Sequence, residues 1–231
     1  MAAATRHVHY LPELWAAASH GRSALVKQLI ENGADREERG GPYKSTPLHI
    51  AALSNCEAVV LILLELTADL SVKNKDGETP LHYAALGGHT RVAGLLLDKG
   101  ADVSATDNHG RMPLHFAVTE NLAKLLVEHG AQLSAKAFDG TTALHCAAVQ
   151  GRAAVVQLFI DKGADVQLKS NDGMTPFDVA THPQIAAMLK AEALRRARCE
   201  AFSMGQQGRL GARSWVQELE AGVVRMVLEQ V

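Results

Sequence analysis

Aromatic residues are scarce: five Phe, two Trp and three Tyr, 4% of 231 residues. A thick globular core draws on large rings for much of its buried area. Their scarcity points to thin layers filled by Leu, Ala and Val. Cysteine is scarce too. Cys56, Cys146 and Cys199 form no C-x-x-C pair, which excludes a disulfide framework or a zinc ribbon and suits buried or free thiols in a reducing compartment. Charge of one sign is missing: the formal net charge is −2, so the chain lacks the basic footprint of a general nucleic-acid binder. Long apolar runs are absent. The longest strong one, Ala58 to Leu64, is far short of a membrane span, and the start at Met1 to His7 carries no secretory pattern. The expectation is an intracellular protein, cytoplasmic or nuclear, with no membrane and no nucleic acid among its partners.

What is present is repetition. Thr79-Pro80-Leu81-His82 matches Thr46-Pro47-Leu48-His49. Altered copies follow as Met112-Pro113-Leu114-His115, Thr142-Ala143-Leu144-His145 and Thr175-Pro176-Phe177-Asp178. The first residues of these tetrads step by 33, 33, 30 and 33. A fixed period of that size means one supersecondary unit stacked several times. Thr suits a helix N-cap, Pro suits the first helical position, and Leu points into the stack.

The unit resembles the ankyrin repeat, whose signature is T-P-L-H-x-A followed by a second helix ending in Gly-Ala. The resemblance implies an all-α solenoid of helix-turn-helix pairs joined by β-hairpin-like loops. It also implies a structural role for Thr46, His49, Thr79, His82, His115, Thr142 and His145, the histidine bridging backbone groups of its own and the neighbouring repeat. Six repeats over residues 10–200 are expected, the first and last degenerate, then a C-terminal helical tail over 201–231.

In the first repeat Trp15 stands where His would be. The next connection, Arg36 to Ser45, is one residue longer than its counterparts and lacks the Asp-Gly turn of Asp76-Gly77, Asp139-Gly140 and Asp172-Gly173. The second repeat exits its second helix at Thr67, where Gly is favoured because the exit wants positive φ. Thr67 is therefore strained, or the helix ends another way. Repeat four is three residues short between its helices, around Val118 to Asn121, and Met112 replaces the capping Thr. A tighter turn, a local weak point and a bend in the stack are expected there. Repeat six is shortened at His182-Pro183, and its second helix continues towards Cys199 with Lys190, Arg195, Arg196 and Arg198 on a basic outer face. Gly205, Gly208 and Gly211 are expected to break that helix. Val216, Leu219, Val223, Met226 and Val227 share one face of a further helix beginning near Ser214.

Ankyrin stacks present a concave face made of hairpin tips and the exposed edge of each first helix. Matched positions give the candidate protein-binding residues. Six before the cap stand Lys73, Thr106, Lys136 and Lys169, a spaced basic stripe. Beside the turn glycines stand Asp76 and Glu78, His109 and Arg111, Asp139 and Thr141, Asp172 and Met174. A further tip position holds Lys75, Asn108, Phe138 and Asn171. On the first helices the exposed positions are Leu53, Leu86 and Val149, with Ser54 and Gln150. Phe138 stands out: an exposed aromatic either meets a partner or folds back on a neighbouring tip.

Chemistry finds no foothold. Four of the 11 histidines recur with the structural period, which makes them structural rather than metal ligands. H-E-x-x-H, G-x-S-x-G and G-x-x-x-x-G-K-[ST] are absent. No catalytic residue, cofactor or metal is expected. The function expected is a non-catalytic adaptor or scaffold, monomeric on its own, binding a partner protein through the concave surface. The alternative is a substrate-recruiting adaptor of a ubiquitin ligase. Leu194 to Cys199, Arg209 to Gly211 and Leu219 to Leu228 loosely resemble a SOCS-type box, and Leu219 to Leu228 also resembles the opening of an F-box.

Overall fold

The computed structural model describes residues 11–206. Ten α-helices and one 3-10 turn follow one another: α1 Leu11–Ser19, α2 Ser23–Glu31, α3 Pro47–Leu53, α4 Glu57–Glu65, α5 Pro80–Gly87, α6 Thr90–Asp98, the 3-10 turn Pro113–Phe116, α7 Glu120–Glu128, α8 Ala143–Val149, α9 Ala153–Asp161 and α10 Pro183–Gln206. Up to α9, no helix exceeds nine residues. Helices that short are marginal alone and need tertiary packing. Each pair stacks on the next, and Leu14, Leu48, Leu81, Leu114 and Leu144, one per repeat, are buried in a single continuous core. The connecting hairpins hold only isolated bridges, Gly40 with Ser45 and Lys136 with Thr142.

The histidines tie the stack together. His82 Nδ1 accepts the Thr79 N–H at 3.1 Å and faces the Thr79 hydroxyl at 2.9 Å. That fixes the proton on Nε2, which donates to the Arg111 carbonyl of the next repeat at 3.0 Å. His49 joins Thr46 to the Glu78 carbonyl in the same way, and His145 joins Thr142 to that of Met174. The degenerate ends keep the half they need. Trp15 has no Nδ1, but its indole N–H donates forward to the Ser45 carbonyl at 3.2 Å. Asp178 cannot donate forward, but its carboxylate accepts the Thr175 N–H and hydroxyl at 2.8 and 2.6 Å.

Thr67 has φ +59°, the left-handed backbone that costs a β-branched residue most. Glycines hold the same exit elsewhere: Gly33, Gly100, Gly130 and Gly163, all at positive φ. The helix still ends as its neighbours do, with Thr67 N–H donating to the Leu64 carbonyl and Ala68 N–H to that of Leu63. Of the two outcomes foreseen at Thr67, strain is the one realised. Repeat four takes up its missing residues differently from the tighter turn expected: its first helix is cut to one 3-10 turn, and Ala117 to Thr119 then lead to α7, against Gly88 and His89 alone in repeat three. One expectation is corrected. Gly205 does not break the last helix, since α10 runs through it to Gln206. Its neighbours Met204 and Gln206 are good helix formers, and a single glycine costs a helix only about 1 kcal/mol. Gly208, Gly211 and the further helix from Ser214 lie outside the described residues.

Two predictions follow from these contacts. Thr67→Gly removes the strained side chain at the loss of one long contact from Arg36; it should stabilise the chain by about 1 kcal/mol, or about 2–4 °C in Tm. An unchanged or lowered Tm contradicts the strain. Burial holds His49 and His82 at a pKa of about 4 against 6.5, despite the carbonyl each donates to. Burial also lowers His115 and His145. Histidines depressed on folding contribute stability that is complete above pH 6.5 and is lost as pH falls towards 4. Denaturant midpoints should therefore drop across that interval, and a flat profile would show that the imidazoles are not buried neutral.

Candidate protein-binding surface

The tips are held in line by the backbone. Lys75 N–H donates to the Tyr43 carbonyl, Asn108 to Asp76, Phe138 to His109 and Asn171 to Asp139, at 2.7–2.9 Å. Asn108 and Asn171 add a side-chain bond each, from Nδ2 to the carbonyls of Lys75 and Phe138 at 2.9 Å. Their amides lie over Gly77 and Gly140, where a Cβ would stand 2.4–2.7 Å from Asn108 or Asn171 atoms. Only glycine, which also supplies positive φ there, permits that approach. Phe138 takes the same place over Gly110 but has no amide to give. It folds onto the neighbouring tip and is still 74% exposed.

The basic stripe is partly committed to structure. Lys73 Nζ donates to the Thr106 carbonyl at 2.7 Å and Lys136 Nζ to that of Lys169 at 2.8 Å. Arg39 does the same to Lys73 at 3.0 Å. Lys75, His109 and Lys169 are exposed.

The hairpins are braced from within. Asn74 Oδ1 accepts the N–H groups of Asp76 and Glu78, and its Nδ2 donates to Glu78 Oε2 and Tyr83 Oη. Asp107 does likewise for His109 and Arg111, and it pairs with the Arg111 guanidinium at 2.7 Å. Burial opposes ionisation of Asp107, but those N–H groups and the guanidinium together hold the carboxyl below its usual range. Arg111 also lies over the Phe116 ring at 4.6 Å. The Thr141 hydroxyl and N–H hold Asp139 low, and burial pushes the Cys146 thiol up.

Among the described residues, seven large hydrophobics are exposed. Phe138 and Met174 occupy hairpin positions, and Leu53, Leu86 and Val149 occupy the same edge of α3, α5 and α8. Gln150, next to Val149, is exposed too. Tyr43, 54% exposed, falls outside the matched sequence positions because its longer connection lacks the Asp-Gly turn that sets the register. The Pro42-Tyr43 pair at a glycine turn was the available signal. The seventh, Leu61, is on α4, a second helix. Repeat four contributes no residue to the helix-edge row, because its 3-10 turn ends at Phe116.

A cleft of about 270 Å³ between the second and third hairpins holds Lys73, Thr79, Asp102 and Ser104. Lys73 is already bonded, and Ser104 N–H caps Asp102. The described residues contain no group of three His, Cys, Asp or Glu able to hold a metal and no helix long and apolar enough to cross a membrane.

Comparison with known proteins agrees with this architecture. A family profile described as ankyrin repeats in three copies matches residues 12–74, 65–137 and 114–194. The solved ankyrin repeat domain of Bcl-3, described as a unique member of the IkappaB protein family, superposes with a TM-score of 0.64 at 31% identity. That match covers 77% of this chain and 81% of the other. Ankyrin repeat and SOCS box protein 5 of Bos taurus is 38% identical over 68 residues, 29% of this chain and 20% of that protein. Ankyrin repeat and SOCS box protein 9 of Homo sapiens is 33% identical over 70 residues, 30% of this chain and 23% of that protein. The matches therefore span about a fifth of these curated relatives. With the profile matching most of its length and the stacked repeats described above, the chain belongs to the ankyrin-repeat family, an all-α solenoid fold that serves as a protein-interaction module.

Proposed function

We propose that this chain is a non-catalytic adaptor or scaffold that grips a partner protein through its concave face. One observation carries the reading: of the seven large hydrophobics exposed among the described residues, six occupy tip or first-helix positions, and Leu61 alone does not. Scattered exposed apolar residues are ordinary, but a set confined to one kind of surface marks an interaction site. Phe138 is the centre of the proposed site, since aromatic anchors dominate interface energetics. Leu86, Val149 and Met174 flank it, with Lys75, His109, Arg111 and Gln150 as polar rim. Asn108, Asn171, Lys73 and Lys136 shape the tips, and Asp76, Glu78, Asp139 and Thr141 brace them. No cofactor, nucleic acid or membrane enters this reading, and the free chain is monomeric.

A second reading is favoured by a specific observation: both curated relatives are named as ankyrin repeat and SOCS box proteins. In that reading the chain recruits a substrate to a ubiquitin ligase through a SOCS- or F-box-like tail. Leu194 to Cys199 of the loosely similar stretch lie within α10, and the remainder lies outside the described residues.

The test is co-purification from cells with a triple variant, Leu86→Ser, Phe138→Ser and Val149→Ser, beside Leu61→Ser as control. Truncating interface anchors costs about 2 kcal/mol or more each, so the triple variant should lose its specific partners while the control keeps them. Equal recovery by all three proteins, with unchanged circular dichroism, removes the concave face as the site. Recovery of a ubiquitin-ligase adaptor subunit by the full chain, lost on ending it near Arg198, favours the second reading.

A further inference from the structure

We infer that the stack has a built-in joint between repeats four and five, pivoting on Arg152 and opening at the tips. The inference goes beyond the proposed function and does not depend on it.

The other inner junctions carry side-chain staples on the tip side. Between repeats two and three these are His49 to Glu78 and Arg39 to Lys73, and between three and four they are His82 to Arg111, Asn108 to Lys75 and Lys73 to Thr106. Between five and six they are His145 to Met174, Asn171 to Phe138 and Lys136 to Lys169. At the junction of four and five every one of these positions fails. His115 Nε2 is buried and makes no hydrogen bond, only a weaker interaction with the Thr141 carbonyl. Phe138 replaces the asparagine, and Thr106 replaces the lysine. Tyr83 sits edge-on to His49, and Phe116 to His82; the matching residues beside His115 and His145 are Cys146 and Val179, so at the fourth junction no ring contact makes up for the lost staples. Among the described residues, the one hydrogen bond that remains on that side is Phe138 N–H to the His109 carbonyl at 2.9 Å.

The opposite edge of the same junction is the firmly held one. Arg152 Nη1 donates to the carbonyls of Phe116 and Ala117 at 3.2 and 2.9 Å, the groups that the shortened 3-10 turn leaves without a helical partner. Both bonds come from Nη1, whose two N–H groups are fixed in the guanidinium plane, so Arg152 holds this edge of the junction in place while the tip edge has no such tie. A lever as long as α8, seven residues or about 10 Å, turns a rotation of about 10° into a tip separation of about 2 Å. That is enough to break the remaining bond. The curvature of the concave face is therefore adjustable at one place, beneath Phe138.

Amide hydrogen exchange on the full chain tests this, because the same backbone bond recurs at Lys75, Asn108, Phe138 and Asn171. The joint predicts a protection factor at Phe138 at least about tenfold below those at Asn108 and Asn171. Phe138→Asn, which supplies the missing amide to the Asn108 carbonyl, should raise protection at residue 138 to the level of its neighbours and leave residue 171 unchanged. Equal protection at the four amides in the native chain overturns the inference, as does a Phe138→Asn variant whose residue 138 stays as fast as before.

Discussion

A buried imidazole has two nitrogens, and at His49, His82 and His145 they are satisfied from two different repeats. The capping residue supplies the donor to Nδ1, and the next repeat supplies the acceptor for Nε2–H. Leaving either unmet would cost about 1–3 kcal/mol inside a dry core, so a single residue type makes each module incomplete without its successor. The apolar layers impose the same dependence more weakly: a pair of nine-residue helices has too little surface to bury its own face. Stacking is thus driven by burial but set in register by the imidazoles. The two terminal repeats show the logic. Trp15 keeps only the forward donor, and Asp178 keeps only the acceptor.

Much of this was legible in the sequence because it repeats. The tetrad at its period fixed the helix starts, the Asp-Gly pairs fixed the turns, and the spacing marked repeat four as short, though not that its first helix would absorb the loss. The likeness to ankyrin repeats supplied the bridging role of the histidines. What was not legible was set by neighbours a full period away. Nothing in the residue Lys73 or Lys136 says that its ammonium is spent on a carbonyl 33 positions on; by composition it is an exposed lysine. Tyr43 escaped because a one-residue insertion shifted its register. Gly205 escaped because propensity weighs less than the apolar pattern of the helix that contains it.

The candidate surface is legible to the same degree and for the same reason. Positions could be read off repeat by repeat, but which of them are free had to come from the contacts. Asn108 and Asn171 look like recognition residues and are bonded to the preceding tip, whereas Phe138 has the same backbone place with no such duty.

That difference binds stability to surface. In a stack, a side chain at the tip can either bond to the preceding carbonyl or present itself outward. Asparagine does the first, and at an edge where all other staples are present its loss would be a local cost. At the junction after repeat four the phenylalanine coincides with a lysine position filled by Thr106 and a histidine left without its acceptor. Each replacement removes a polar bond across one plane, and none removes the apolar layer beneath it. The halves of the stack therefore stay joined by burial, which has no preferred direction, and by Arg152 at the far edge. A plane held by a non-directional force and one polar anchor resists separation more than it resists rotation, which places the most adjustable part of the solenoid under its most exposed ring.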